Sequence, residues 1–208
     1  MAIKTTDLSR KEREFFQQRT EVLEAALALF AQKGFHRVTM QQIARRAEFS
    51  VGKLYKFFAN KSELYDCLLE QTAEAFERRL TSALALGEDS METLRACLTA
   101  RIEVWTENIA AISLYMTETQ GSQFGPHANL ETKFKVQYQG SLRRVAEVFQ
   151  RGMEAGLFRQ GDPYLYTLAL DGITQNLLLA WMEHPSEPVV EADQVLDLLV
   201  RGIGRQGG

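Results

Sequence analysis

Apolar residues recur along this chain every three to four positions, which is the spacing of helices that bury one face. The stretch from about residue 10 to residue 33 shows it clearly, with Val22, Ala26 and Leu29 on one face and Gly34 after the last turn. β-branched residues do not alternate with polar ones at the period of two typical of strands, and proline is absent before residue 126. The pattern predicts an all-α protein.

Residues that cap helices divide the chain into about nine helical segments. Thr39 with Gln42 has the spacing of a capping box and predicts a second helix over 40–47. Ser50 is placed to cap a third helix over 51–58. The later starts and breaks are predicted, in order, at Asn60 with Glu63, Asp89 with Glu92, Asn108, a loop at 121–126, Asp162-Pro163, and Pro188.

The second and third segments have the lengths of a helix-turn-helix, with a four-residue connection from Ala47 to Ser50. The third helix is about 12 Å long, comparable to the width of a DNA major groove. Its inward residues are Leu54, Phe57 and Phe58. The opposite face carries two ammonium groups, a phenol and a glycine that lets a duplex approach the backbone: Val51, Gly52, Lys53, Tyr55 and Lys56.

Charge is distributed unevenly over the chain, whose formal net charge is −3. The first 65 residues hold 12 Lys and Arg against 7 Asp and Glu, a net charge of +5. The remaining residues hold 12 against 20, a net charge of −8. A basic front on an acidic body suits a phosphate-binding module, although a solvated surface can carry the same charge.

The segment from residue 19 to residue 65 resembles the tetracycline-repressor (TetR) family of bacterial regulators. About a dozen positions follow the family's pattern in register: AA..LF...G, then T...IA..A, then S.G.LY..F..K..L. The resemblance implies a nine-helix dimer with a ligand cavity in the carboxyl part. It places Val51, Gly52 and Lys56 at base edges or backbone, and the following residues near phosphates: Thr39, Ser50, Lys53, Tyr55 and Lys61.

The turn departs from the family pattern at two positions. Glu48 stands where the family usually has glycine, and Phe49 stands where a smaller aliphatic residue is common. If the turn keeps a positive φ, Glu48 costs roughly 1 kcal/mol relative to glycine. Its charge would also lie near the DNA.

The carboxyl part contains aromatic and polar residues that could line a ligand pocket. The alternative is that each belongs to an ordinary core, and the ligand itself is not implied by the resemblance. The candidates are Trp105, Asn108, Tyr115, Met116, Phe134, Tyr138, Gln175 and Trp181.

The last two predicted helices each show an apolar face with small residues. Such faces can pack against their symmetry mates as a four-helix interface of a twofold dimer, or can cover the core of the monomer. The candidate dimer residues are Leu165, Leu168, Ala169, Gly172, Leu179, Val195, Leu198, Leu199 and Ile203.

These features predict a DNA-binding domain over residues 1–60 and a ligand-binding and dimerisation domain over 61–208. The predicted function is that of a repressor that binds a palindromic operator as a dimer and is released by a small-molecule effector. A ligand-independent DNA-binding protein and a helical protein-interaction adaptor are the alternatives. The sequence contains no motif of an enzyme or of a metal or cofactor site, and neither a signal-like segment nor an apolar run that could span a membrane. We therefore expect a cytoplasmic, non-enzymatic protein without cofactors.

Overall fold

The computed structural model describes residues 9–87, 89–119 and 128–203. The predicted loop at 121–126 and the side chain of Ile203 lie outside the described part. Within it the chain forms nine helices, which confirms the predicted all-α class: α1 Arg10–Lys33, α2 Met40–Arg46, α3 Val51–Phe57, α4 Lys61–Leu84, α5 Ser90–Glu107, α6 Ile109–Thr119, α7 Ala128–Glu154, α8 Pro163–Glu183 and α9 Ala192–Ile203.

Side-chain caps begin these helices where the sequence places them. Thr39 accepts a hydrogen bond from the Gln42 backbone N–H, and the Gln42 side chain accepts one in return from the Thr39 backbone N–H. The side chains of Ser50 and Asp89 cap α3 and α5 by accepting from backbone N–H groups of the first turn. Asp162 caps α8 and is followed by proline at the first helical position.

The start of α4 differs from the predicted capping box by one residue. The Asn60 side chain accepts from the Glu63 backbone N–H at 2.9 Å, as expected. The Glu63 carboxylate, however, accepts from the backbone N–H of Ala59 at 2.6 Å instead of from that of Asn60. Both orphan donors are still satisfied.

The chain divides into two compact units. The head unit contains the described residues up to Gln71, residues 110–119, which are α6 without its first residue, and Ala128. The body unit contains residues 72–109 and the described residues from 129 onward. The predicted domain boundary after residue 60 falls at the first residue of α4, whereas the head unit continues for three further turns of that helix.

The head unit is built on aromatic and aliphatic side chains from four helices and the α1–α2 loop. The ring of Phe35, in that loop, lies 5.3 Å from the ring of Phe30 and 5.2 Å from that of Tyr65. All three are buried, as are Ile43 and Leu54 of the two short helices. This packing fixes α2 and α3 on α1, because neither short helix is long enough to be stable alone.

The body unit has a core between α5, α7, α8 and α9. Leu94, Val148, Phe149 and Leu178 are fully buried within it. The residue at 152 has to be glycine, since a Cβ there would lie only 2.3 Å from the ring of Phe158. In the described part of the chain, no helix combines the length and the apolar character needed to cross a membrane.

Candidate nucleic-acid interface and cavity

The helix-turn-helix has the geometry that the sequence predicts. Residues 47–50 join α2 to α3, and the Phe49 backbone N–H donates to the Ala44 carbonyl at 2.9 Å. Met40, Ile43 and Leu54 are buried beneath the turn. α3 ends one residue earlier than predicted, because Phe58 takes an extended conformation as its ring enters the core.

The turn contains a strained residue. Glu48 has a φ of 59° and is the one non-glycine with positive φ among the described residues. Its side chain is exposed, so no burial compensates for the left-handed conformation. The positive φ of the family's turn is therefore kept, without the glycine that normally adopts it.

Phe49 gives the turn an aromatic support. Its ring lies 6.1 Å from that of Phe57 on α3, and the ammonium of Lys53 lies 4.4 Å from the centre of the Phe49 ring. A larger residue than the family's aliphatic one thus packs under α3 and contacts one of its cations.

The outward face of α3 is open. Gly52 is exposed, and a Cβ built on it would meet no atom within 4 Å. Lys56 is exposed and Tyr55 is about half exposed, while Val51 and Lys53 are partly covered. The hydroxyls of Thr39 and Ser50 accept backbone hydrogen bonds and each still carries a proton to donate.

Lys61 does not belong to this open face, and its role as a phosphate contact stays a prediction. Its ammonium donates to the carbonyls of Phe35, His36 and Val38 at 2.7, 3.3 and 2.9 Å. An ammonium has three protons, so all of its donors are used. Lys61 instead fastens the first turn of α4 to the α1–α2 loop.

α6 contacts the same loop within the head unit. The Glu118 carboxylate lies 3.0 Å from Nε2 of His36. Burial lowers the pKa of Lys61 below its ordinary value, and the charge of Glu118 opposes that shift. The α1–α2 loop is therefore held from α4 and from α6.

The body unit contains a small cavity of about 40 Å³ between α4, α5, α7 and α8. Apolar side chains form most of its wall, and a buried polar group forms one side. The apolar wall includes Phe76, Leu80, Leu98, Leu142, Val145 and Leu170.

The polar side is a cluster of Arg101, Asp171 and Tyr138. Of these three residues, only Tyr138 was predicted from the sequence as a pocket residue. Nη1 of Arg101 and the hydroxyl of Tyr138 both donate to the same Asp171 oxygen. The Nε–H of Arg101 is buried and has no hydrogen-bond partner. Burial lowers the pKa of Arg101, and the interaction with Tyr138 opposes that shift.

A signal for this cluster was present in the sequence. Arg101 lies at the spacing of Leu94 and Leu98 on the apolar stripe of α5, and Asp171 follows Leu170 in an apolar stretch of α8. A charged residue on an apolar stripe has to be paired when it is buried.

Comparison with known proteins identifies the family that the head unit resembles in sequence. Residues 22–67 match the profile of the bacterial regulatory proteins of the tetR family. Over these residues the chain is a tetR-family DNA-binding head. It is a DNA-binding transcriptional regulator, which confirms the predicted class of function.

Relatives extend the likeness beyond the head. The transcriptional repressor KstR2 of Rhodococcus jostii is 29% identical over 146 residues, 68% of each chain. The fatty acid metabolism regulator protein of Bacillus subtilis is 23% identical over 190 residues, 88% of this chain and 94% of its own. These relatives are transcriptional regulators and not enzymes.

Solved structures show the same fold along nearly the whole chain. The ketosteroid transcriptional regulator KstR2 of Mycobacterium tuberculosis has a TM-score of 0.71 at 25% identity, covering 90% of this chain and 95% of its own. The complex of SmeT with triclosan has a TM-score of 0.73 at 22% identity, covering 92% and 93%. The second likeness concerns the fold alone.

Most of the predicted ligand-binding residues lie away from the cavity, and only Tyr138 lines it. The side-chain amide of Asn108 donates to the Val104 carbonyl at the end of α5, and Nε1 of Trp181 donates to the Glu187 carbonyl. Trp105 packs against the body core. Phe134 and Gln175 are partly buried in the body unit, and Tyr115 and Met116 lie on α6 in the head unit. The role of these residues in ligand binding stays a prediction.

The predicted dimer residues separate into two groups. Leu165, Leu168, Ala169 and Leu198 are exposed, and Gly172 has open space where a Cβ would stand, while Leu179 is half-buried. Val195 and Leu199 are 0% and 6% exposed, because they face inward from α9 into the protomer's own core. Within the protomer they therefore belong to the core, and their part in an interface stays a prediction.

The two cysteines are free thiols. Burial raises the pKa of Cys97 to about 11, against the opposing charges of Arg144 and Arg151. Burial also raises the pKa of Cys67, although Arg19 lies within 3.0 Å of its sulfur and opposes the shift. Among the described residues, no three His, Cys, Asp or Glu side chains come together in a metal-binding group.

Proposed function

We propose that this regulator is a repressor that binds a palindromic operator as a dimer and leaves it when a small molecule enters the body unit. The observation that carries the proposal is the open face of α3, with Gly52, Tyr55 and Lys56 exposed above a fixed turn. The relatives named as repressors support the direction of regulation.

The DNA contacts divide by chemistry. Lys56 projects from the exposed face of α3 and is the candidate to read base edges, with Val51 and Gly52 allowing close approach. Hydroxyl, phenol and ammonium donors nearby are suited to phosphate oxygens and set the orientation of the head. These are Thr39, Ser50, Lys53 and Tyr55.

The dimer would form through α8. Leu165, Leu168, Ala169 and Gly172 repeat every three to four residues and make an exposed apolar stripe on that helix. Leu198 of α9 is also exposed, and α8 packs on α9. A twofold axis through such a stripe would pair two heads on two half-sites.

The effector would act by preferring a body conformation other than the one that fits the operator. The cavity of about 40 Å³ holds one or a few waters, well below the usual volume of a pocket for an effector. A ligand must therefore move cavity-lining side chains or helices, and this gives it a differential affinity for two states.

The proposal is tested by mobility shifts on the DNA upstream of the protein's own gene, with and without small molecules found by thermal shift. We expect a salt-sensitive complex that at least one stabilising compound dissolves. A complex that no stabilising compound affects would favour ligand-independent DNA binding, and the absence of any complex would favour the adaptor.

A further inference from the structure

The polar cluster in the body cavity contains a hydrogen-bond donor that the protein leaves unused. Arg101 is 8% exposed, and its Nε–H has no partner in the structure. Buried donors on charged groups are rarely left unpaired, because their hydration is lost on folding. Since this one belongs to a residue that lines the cavity, an acceptor atom inside the cavity would satisfy it.

The other polar groups in the wall are already engaged. The hydroxyls of Thr167 and Thr174 donate to backbone carbonyls one turn earlier in α8. The hydroxyl of Ser141 lies within hydrogen-bond distance of the Glu77 carboxylate and the Gln137 carbonyl. Among the described N–H and O–H groups of this wall, the one without a partner is thus the Nε–H of Arg101.

Charge decides what kind of acceptor fits. The positive charge of Arg101 is already balanced by Asp171, whose contacting oxygen also accepts from Tyr138. A carboxylate ligand would add a second negative charge beside Asp171, and among the described residues no further charged side chain lines the cavity to pair with it. A buried charge without a partner is strongly unfavourable. A neutral oxygen acceptor adds no charge.

We propose that the cavity binds an uncharged, mainly apolar molecule that carries one carbonyl-type oxygen, which accepts a hydrogen bond from Arg101 Nε. Asp171 and Tyr138 hold the guanidinium in position and are not themselves displaced. The inference names the effector class and so rests on the proposed function, but it concerns binding to the body unit and needs no DNA.

Three molecules of similar shape test the proposal: acetophenone, benzoate and ethylbenzene. Each is titrated into the full-length protein at pH 7.5, with affinity measured by ligand-observed NMR and the Arg101 Nε–H resonance followed in ¹⁵N-labelled protein. We expect acetophenone to shift that resonance and to bind at least about tenfold more tightly than benzoate. Ethylbenzene should bind without the shift.

Two variants isolate the hydrogen bond. Arg101→Lys keeps the charge that pairs with Asp171 but lacks the Nε–H, and the double variant Arg101→Met/Asp171→Leu removes both charges together. Each variant should bind acetophenone about tenfold more weakly than the wild type, and its affinity for ethylbenzene should stay within about threefold of the wild-type value. The matched control is Arg95→Met/Asp193→Asn, which removes the exposed ion pair between α5 and α9, and both affinities should stay as in the wild type.

Benzoate binding as tightly as acetophenone would overturn the proposal, as would an unchanged acetophenone affinity in both variants or no binding of any of the three. The ligand class and the repressor mechanism can fail separately. If acetophenone binds as expected but acetophenone-type ligands leave a DNA complex intact, the proposed release of DNA by an effector is wrong and the proposed ligand class is kept. If carboxylates alone release the protein from DNA, the repressor mechanism is supported and the proposed class of uncharged ligands is wrong.

Discussion

Glu48 connects a departure in sequence to a positive φ of 59° in the turn. The family's turn takes a positive φ, and this chain takes it with a residue whose Cβ crowds the neighbouring carbonyl. The strain was predictable from the sequence, because the motif shows which position of the turn takes a positive φ and the sequence shows that this position is not glycine.

Replacing Glu48 should therefore separate strain from charge. We expect Glu48→Gly to raise the free energy of unfolding by roughly 1 kcal/mol, measured by urea denaturation. Glu48→Gln keeps the Cβ and should change stability by less than about 0.5 kcal/mol, while both variants bind DNA more tightly through the lost negative charge. Equal stabilities for the two variants would mean that the turn is not strained.

Lys61 shows why a motif residue can have another role than the one that its family suggests. Its position in the sequence is that of a phosphate contact, but its direction depends on three carbonyls in a loop some 25 residues away in the chain. Those carbonyls become neighbours of Lys61 only when α4 packs on the α1–α2 loop, and no spacing pattern in the sequence indicates that contact.

Removing the ammonium should accordingly affect the fold first. We expect Lys61→Met to lower the free energy of unfolding by about 1 to 3 kcal/mol, since three carbonyls lose a charged donor. Thermal or urea unfolding measures the loss, and Lys56→Met on the open face of α3 serves as the control with little change. A Lys61→Met protein as stable as the wild type would contradict the structural role.

Cys97 gives the protein a pH dependence in the alkaline range. Its thiol has a pKa of about 11 when folded against 9.0 as the ordinary value. Because the unfolded chain loses this proton first, stability falls as the pH rises from about 9 to about 11. Over that range the free energy of unfolding of the wild type should fall by about 2 to 3 kcal/mol more than that of Cys97→Ala. Parallel curves of unfolding free energy against pH for the two proteins would contradict the raised pKa of Cys97.

At the scale of the elements, the helix boundaries followed from local chemistry. Caps at Thr39, Ser50, Asp89 and Asp162 act through hydrogen bonds within three residues, so the sequence contains all the partners that they need. The face that each helix buries was less predictable. α9 places Val195 and Leu199 inward and Leu198 outward. An apolar stripe in the sequence does not show whether the protomer's own core or a second protomer covers it.

The predicted ligand residues, apart from Tyr138, lie away from the cavity for a related reason. Aromatic side chains such as Trp105 and Trp181 fill space in any helical core, so their presence does not mark a cavity. Arg101 and Asp171 were the informative pair, because burying two charges needs a specific partner across α5 and α8. Their pairing depends on tertiary packing, which a single sequence does not contain.

At the scale of the whole molecule, the exposed stripe on α8 makes the oligomeric state testable. We expect Leu165→Glu/Leu168→Glu to convert a dimer into a monomer in sedimentation equilibrium, because two charges per protomer would be buried at the interface. DNA affinity should fall together with dimerisation, since one head covers only one half-site.

Leu157→Glu is the control for that experiment, as Leu157 is exposed in the body unit outside α8 and α9. It should leave the dimer intact. A wild-type protein that sediments as a monomer, or a Leu165→Glu/Leu168→Glu protein that stays dimeric, would place the interface elsewhere.

The central claim is that α3 presents its open face to a DNA duplex, and its most direct test is the salt dependence of binding to an operator fragment. Fluorescence anisotropy from 50 to 200 mM salt should give an affinity that falls steeply for the wild type. Lys56→Ala should reduce the slope by about one unit and alter base preference, while Lys61→Met, at a temperature where it is folded, should keep the wild-type slope. Binding that does not respond to salt, or identical slopes and base preferences for wild type and Lys56→Ala, would contradict the account.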